Sequence, residues 1–224
     1  GPASVRYRTL IDLVGLPSDD GKVQAAYDDM LADPLVSGLV SQVNAWENQP
    51  ALVRHNDSSH HLHRLAFAAD IGVSARELRP ALDAILRHRS TEGPYQVRIS
   101  IPRAFGGDGI PKWDWVGCDA PLLMYALLRL GVGADETRTG VQHILSHAVE
   151  GGFPCFASTT MGKFRGPGRK GDPCPIANLV VLRMLAEAPG LADSTEARMA
   201  AGMLLHHWKE RGLKMYYLFG IGTD

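Results

Sequence analysis

Apolar residues recur at helical spacing along most of the chain. Val5, Leu10, Leu13 and Val14 mark one stripe over residues 4–16, and Val23, Ala26, Tyr27, Met30 and Leu31 mark a second over 22–32. A third runs over 35–47 and ends near Trp46. A period of 3.6 predicts amphipathic helices. The breaks between them are chemical: Leu16-Pro17-Ser18-Asp19-Asp20-Gly21 is turn sequence, and Asp33-Pro34 disfavours helix before the proline. Residues 1–50 are therefore expected to form a helical cap on whatever follows, within the same domain.

Beyond residue 50 the pattern repeats about every sixty residues. Ile85-Leu86-Arg87-His88, Ile144-Leu145-Ser146-His147 and Leu204-Leu205-His206-His207 each close an apolar helical run. Each is followed by an acid and glycine (Glu92-Gly93, Glu150-Gly151-Gly152, Glu210-Arg211-Gly212) and then by Tyr95, Phe153 or Tyr216. Each is preceded by an earlier apolar run: 66–71, 126–130 and 181–185. The unit is a helix, a short link, a second helix and a Gly/aromatic turn. Such a pair cannot bury its own apolar face, so copies must stack. The chain is expected to be all-α, three helical hairpins in an arc over 55–112, 113–171 and 172–224.

The first repeat should start at Asp57-Ser58-Ser59, which is N-cap chemistry, and run to Asp70 before Gly72. Ser74 with Glu77 reads as a capping box for its second helix. The second repeat should begin at Asp119-Ala120-Pro121 and span 120–130 and 134–148, with proline favourable in the first turn. The third should span about 175–187 and 193–210. The links 93–112 and 151–173 are long and rich in Gly and Pro; the first includes a partly alternating piece, Tyr95 to Ile101, that could be extended. Links of that length inside a compact domain are usually functional or mobile.

Composition changes this picture little. The 224 residues are 45% hydrophobic with a formal net charge of −1, so no global attraction to nucleic acid or anionic lipid is expected. No apolar run is long enough for a membrane span. No secretory signal is visible, and an odd three cysteines without a CxxC motif fit a reducing cytoplasm. Oligomeric state is not legible.

Curvature would gather the starts of the three inner helices at one end of the arc. Those starts carry His60, His61 and His63, then Cys118 and Asp119, then Asp172 and Cys174. All are zinc-binding types, and helix N-termini also favour anions. Each also has a plain reading: buried cysteine, solvated histidine, capping aspartate. The link Lys163-Phe164-Arg165-Gly166-Pro167-Gly168-Arg169-Lys170-Gly171 packs four cations among glycines, which suits an anionic head group or merely a solvated loop. Trp115, Tyr125 and Phe153 could line an apolar pocket; core packing is the alternative.

With these features the chain resembles the terpenoid-cyclase and protein-prenyltransferase superfamily. The resemblance covers residues 55 to 224. It rests on repeat length, on the Glu150-Gly151-Gly152-Phe153 turn, similar to squalene-cyclase repeats, and on Asp172-Pro173-Cys174 following Arg169-Lys170. It implies an α/α toroid around an apolar cavity and an isoprenoid-related enzyme. It further implies Asp172 and Cys174 as zinc ligands and Arg169 and Lys170, with Arg165, as diphosphate contacts. The family's third ligand is a histidine about one repeat further on; here His60, His63 or Cys118 would substitute. No Asp-x-Asp-Asp proton donor is present, so without zinc Asp119 or Asp172 would act as general acid. Two other readings stay open: a non-catalytic binding module for a peptide or lipid, and an enzyme using Cys118 or Cys174 as nucleophile with His60 or His206 as base.

Overall fold

A computed structural model describes residues 1–161 and 172–209. Arg165, Arg169, Lys170 and the aromatic tail around Tyr216 lie outside the described residues. Nine α-helices are formed among those described: α1 (Ala3–Asp12), α2 (Gly21–Ala32), α3 (Pro34–Asn44), α4 (His61–Ile71), α5 (Arg79–Arg87), α6 (Ala120–Arg129), α7 (Ala134–Leu145), α8 (Pro175–Glu187) and α9 (Thr195–Lys209). The chain is mostly helical, as its periodicity predicts.

It is not wholly helical. β1 (Val97–Ile99) and β2 (Lys112–Asp114) pair antiparallel, with Val97 opposite Asp114 and Ile99 opposite Lys112. Val97 and Ile99 are buried and Arg98 is exposed, the period of two that a half-covered strand requires. Leu52 adds a short parallel bridge: its N–H donates to the Arg98 carbonyl at 2.8 Å, and its carbonyl accepts from Ser100 at 3.0 Å.

Most helix starts follow local chemistry. Asp20 accepts from the Lys22 N–H and Asp33 from the Leu35 N–H, each at 2.8 Å. Two starts differ from expectation. The cap of α4 is His60, not the Asp57-Ser58-Ser59 run. Ser74 and Glu77 form no capping box: the Ser74 N–H donates to the Tyr27 hydroxyl at 3.1 Å, and α5 begins at Arg79. Its first turn is capped from α3, where the Asn44 side chain accepts from Ala81 N–H at 3.3 Å and donates to the Glu77 carbonyl at 2.9 Å. No local motif signals a cap supplied from another helix.

The first helices of the three predicted repeats form a row: α6 packs against α4 on one side and α8 on the other. Behind it, α7 packs on α6 and α9 on α8. On the N-terminal side α3 packs on α4, and α1 on α2 and α4. Because α6 is flanked on several sides, Ala120 through Leu127 are all buried. A helix apolar all round belongs in such an interior position. Each fully buried Leu or Met there, Leu123, Met124 and Leu127, contributes on the order of 2 kcal/mol.

The same row is laced at its C-terminal ends. Asp70 of α4 accepts from the Tyr125 hydroxyl of α6 and from Arg183 of α8, the latter at 3.1 and 2.8 Å. The Arg183 guanidinium lies 4.2 Å over the Tyr125 ring, and Arg129 of α6 binds Glu187 of α8 at 2.6 Å.

Candidate functional site

At the opposite end of the row, three extended segments lie side by side. The Gly117 N–H donates to the Phe156 carbonyl at 2.8 Å, and Ser158 N–H to the Trp115 carbonyl at 3.1 Å. On the other edge Cys174 N–H donates to the Phe153 carbonyl at 2.7 Å, with Pro154 opposite Pro173. Residues 153–158 thus run between the chain entering α6 and the chain entering α8. Asn178, in the first turn of α8 and fully buried, fastens them. Its Oδ1 accepts from Phe153 N–H at 3.0 Å, and its Nδ2 donates to the carbonyls of Phe153 at 2.9 Å and Cys174 at 2.8 Å.

Each segment carries one cysteine. Cys118, Cys155 and Cys174 meet, with hydrogen bonds linking the three thiols. Cys118 and Cys174 are buried, Cys155 is partly exposed, and no disulfide joins them. Cys174 is the N-cap residue of α8; its side chain makes no capping hydrogen bond, but the nearby backbone N–H groups of Ile176 and Ala177 favour negative charge on its sulfur. Donation from the Cys118 thiol, then from Cys155, holds the Cys174 thiol far below its usual range, and the helix N–H groups add to this. Cys118 moves the other way: bonded to Cys155 and Cys174 and fully buried, it keeps its proton. Negative charge at Cys174 is thus favoured by two neighbouring thiols and by the start of α8.

Asp119 follows Cys118, and its charge acts on that thiol. It occupies the N-cap position of α6 but makes no capping hydrogen bond, and it is only 3% exposed. Its Oδ1 has no partner. Burial pushes its pKa up to about 7. A buried carboxyl oxygen without a partner is costly and uncommon, and such groups concentrate at working sites. Asp172, two residues before Cys174, also has a buried oxygen, Oδ2, without a partner.

Of the residues singled out by sequence, Cys118, Asp119, Asp172 and Cys174 lie in this region. His60 does not join them. Its Nδ1 accepts from Leu62 N–H at 3.2 Å, so its proton is on Nε2, which donates to the Pro50 carbonyl at 3.0 Å. Both nitrogens are engaged and neither can bind a metal. Trp115 and Phe153, expected to face a ligand, are 1% and 0% exposed and belong to the core. Tyr125 is likewise held in the Asp70–Arg183 lacing, at the far end of α6. Cys155 was absent from the expected set because it lies in a link and not at a helix start.

No three or more His, Cys, Asp or Glu side chains among the described residues stand in ligand geometry around one point. Two surface clefts, of about 400 and 260 Å³, are lined by Tyr7, Gly72, Arg129 and Glu187 and by Ile101, Asp108, Lys112 and Thr160 respectively. Neither includes a cysteine. No described helix is long and apolar enough to cross a membrane. No family model, curated protein or solved structure matches the chain.

Proposed function

We propose that the chain is an enzyme of isoprenoid chemistry, its repeats bent into an α/α-toroid-type arc and its working centre at Cys174 and Asp119. The observation that carries this reading is the buried carboxyl of Asp119, which makes no capping hydrogen bond, next to Cys118 of the three converging thiols. At neutral pH a large fraction of Asp119 is protonated, because burial lifts its pKa to about 7. That suits a general acid. A Cys174 thiolate, favoured by its neighbours, would stabilise positive charge developing on a hydrocarbon substrate. Arg165, Arg169 and Lys170 precede Asp172 and Cys174 in the chain and would supply the cations that a diphosphate needs.

The test is direct incubation with geranyl, farnesyl and geranylgeranyl diphosphates, following products by mass spectrometry and binding by thermal shift. Turnover that is lost in Asp119→Asn and Cys174→Ser supports the reading. Stabilisation without turnover points to a binding module. No stabilisation by any of the three ligands removes isoprenoid chemistry from consideration.

A second reading is favoured by the donor set. Three thiols and a carboxylate with an open oxygen are what a tetrahedral zinc takes. Zinc would be held by Cys118, Cys155 and Cys174 with Asp119 or Asp172, after those side chains close inward, and would supply a Lewis acid and an activated thiolate. Near-stoichiometric zinc in protein purified without added metal supports this; zinc-free protein indifferent to chelators excludes it.

A further inference from the structure

A second cluster lies on the other side of the 153–158 segment. Successive residues of an extended chain point to opposite faces, so Phe156 turns away from the side where Cys155 meets the other thiols. The Phe156 ring stacks on His147, with centroids 4.5 Å apart and planes 11° from parallel. His147 follows His143 by four residues at the end of α7, where the Ser146 and His147 N–H groups still bond back to Gln142 and Ile144. Residues four apart on a helix share a face. Their Nε2 atoms are 3.3 Å apart.

That separation is informative. Two imidazole nitrogens bound to one zinc at 2.0–2.1 Å with a tetrahedral angle lie about 3.3 Å from each other. The rings are also fixed before any ion arrives. The Trp115 ring abuts both, with centroids 5.3 Å from His143 and 6.0 Å from His147. Trp115 is itself anchored, its Nε1 donating to Glu92 Oε2 at 2.9 Å. The second oxygen of Glu92 accepts from Thr159 N–H at 3.2 Å and Thr159 Oγ1 at 2.7 Å. The Glu92 carboxylate is close enough for its charge to act on both imidazoles, which favours a cation between them. His143 and His147 are half-buried, open enough for an ion and its waters.

We propose that His143 and His147 form a two-imidazole site for a late first-row divalent cation such as zinc, with Glu92 as an outer counter-charge and water completing the coordination. The ion takes the place of the proton between the two Nε2 atoms, which moves to Nδ1 of its own ring, so both imidazoles stay neutral. With only two protein ligands the site is exchangeable and its remaining positions are free for an anionic ligand. It is independent of the thiols and holds whether or not the chain processes isoprenoids.

Long-range proton–nitrogen NMR of the imidazoles during zinc titration tests it. The nitrogens of His143 and His147 should shift together and saturably, while those of His60 stay still. His147→Gln should abolish the saturable shift of His143, and Glu92→Gln should weaken zinc binding several-fold. Circular dichroism identifies any variant that fails to fold, and His143→Gln then serves in its place. Cobalt titration separates the two centres, because thiolate-bound cobalt shows a sulfur charge-transfer band and imidazole-bound cobalt does not. Signals of His143 and His147 that stay unmoved through a large excess of zinc overturn the proposal, as does undiminished zinc binding at His143 in His147→Gln.

Discussion

Asn178 and Phe153 are joined by a reciprocal pair of hydrogen bonds, the side-chain amide of one mimicking a strand partner for the backbone of the other. This contact sets the position of Cys155 relative to Cys174. The same amide also bonds the Cys174 carbonyl, so one residue holds two of the three thiol-bearing segments.

Replacing Asn178 by Ala leaves the buried Phe153 N–H without its acceptor and removes one of the two hydrogen bonds at each of the Phe153 and Cys174 carbonyls. The expected loss is on the order of 3 kcal/mol, visible as a lower urea midpoint. Asn178→Asp keeps an acceptor for Phe153 N–H and should recover part of it. An Ala variant as stable as the parent would show that the staple contributes little.

Gly152 precedes this staple with φ +138°, and a Cβ there would stand 2.5 Å from the Asn178 side-chain oxygen. Gly152→Ala should therefore cost about 1–3 kcal/mol, more than an alanine at a glycine with open space around it. Paired denaturation curves for Gly152→Ala and Gly38→Ala check this, since Gly38 has nothing near its missing Cβ.

Burial lowers the His60 pKa from 6.5 to about 4 in the folded chain, so the fold selects its neutral form. The stability it contributes is complete above pH 6.5 and is lost as pH falls toward about 4, a total of roughly 3 kcal/mol. His60→Asn keeps an acceptor for the α4 cap and removes the titration. The gap between wild type and variant should shrink or reverse over that window; a constant gap contradicts it.

Asp119 runs in the opposite sense. Its pKa is raised from 3.8 to about 7, so the stability tied to its proton is full below 3.8 and lost as pH rises through about 7. Asp119→Asn, a permanent mimic of the protonated form, should unfold less readily than the parent above pH 7, by up to roughly 4 kcal/mol from the shift alone. It should also lose turnover, a trade common at sites that carry strain for function.

How much of this was legible depended on how local each cause is. The stripes of α2, α6 and α8 and their Asp or Pro starts are written within a few residues, and the sequence reading places them well. The start of α5 is set by Asn44 across a helix interface, so Ser74 and Glu77 misled. The β1–β2 hairpin depends on Leu52 and on burial of alternate residues, which the partial alternation of residues 95–101 only suggested. At the site, Cys118, Asp119, Asp172 and Cys174 stood out because they recur at helix starts. Cys155 did not, because only the cross-link pairing of residues 153–158 delivers it. His60 stood out for its chemistry, yet that chemistry serves a helix cap.

The central claim is that Cys174 is a thiolate sustained by its two neighbours and the end of α8. Ultraviolet absorbance of the thiolate, recorded against pH in metal-free folded protein, measures this directly. The account predicts one thiolate persisting into mildly acidic buffer, absent in Cys174→Ser and displaced toward higher pH in Cys118→Ser. Absorbance that appears only in the alkaline range of ordinary thiols, in wild type and variants alike, would contradict it.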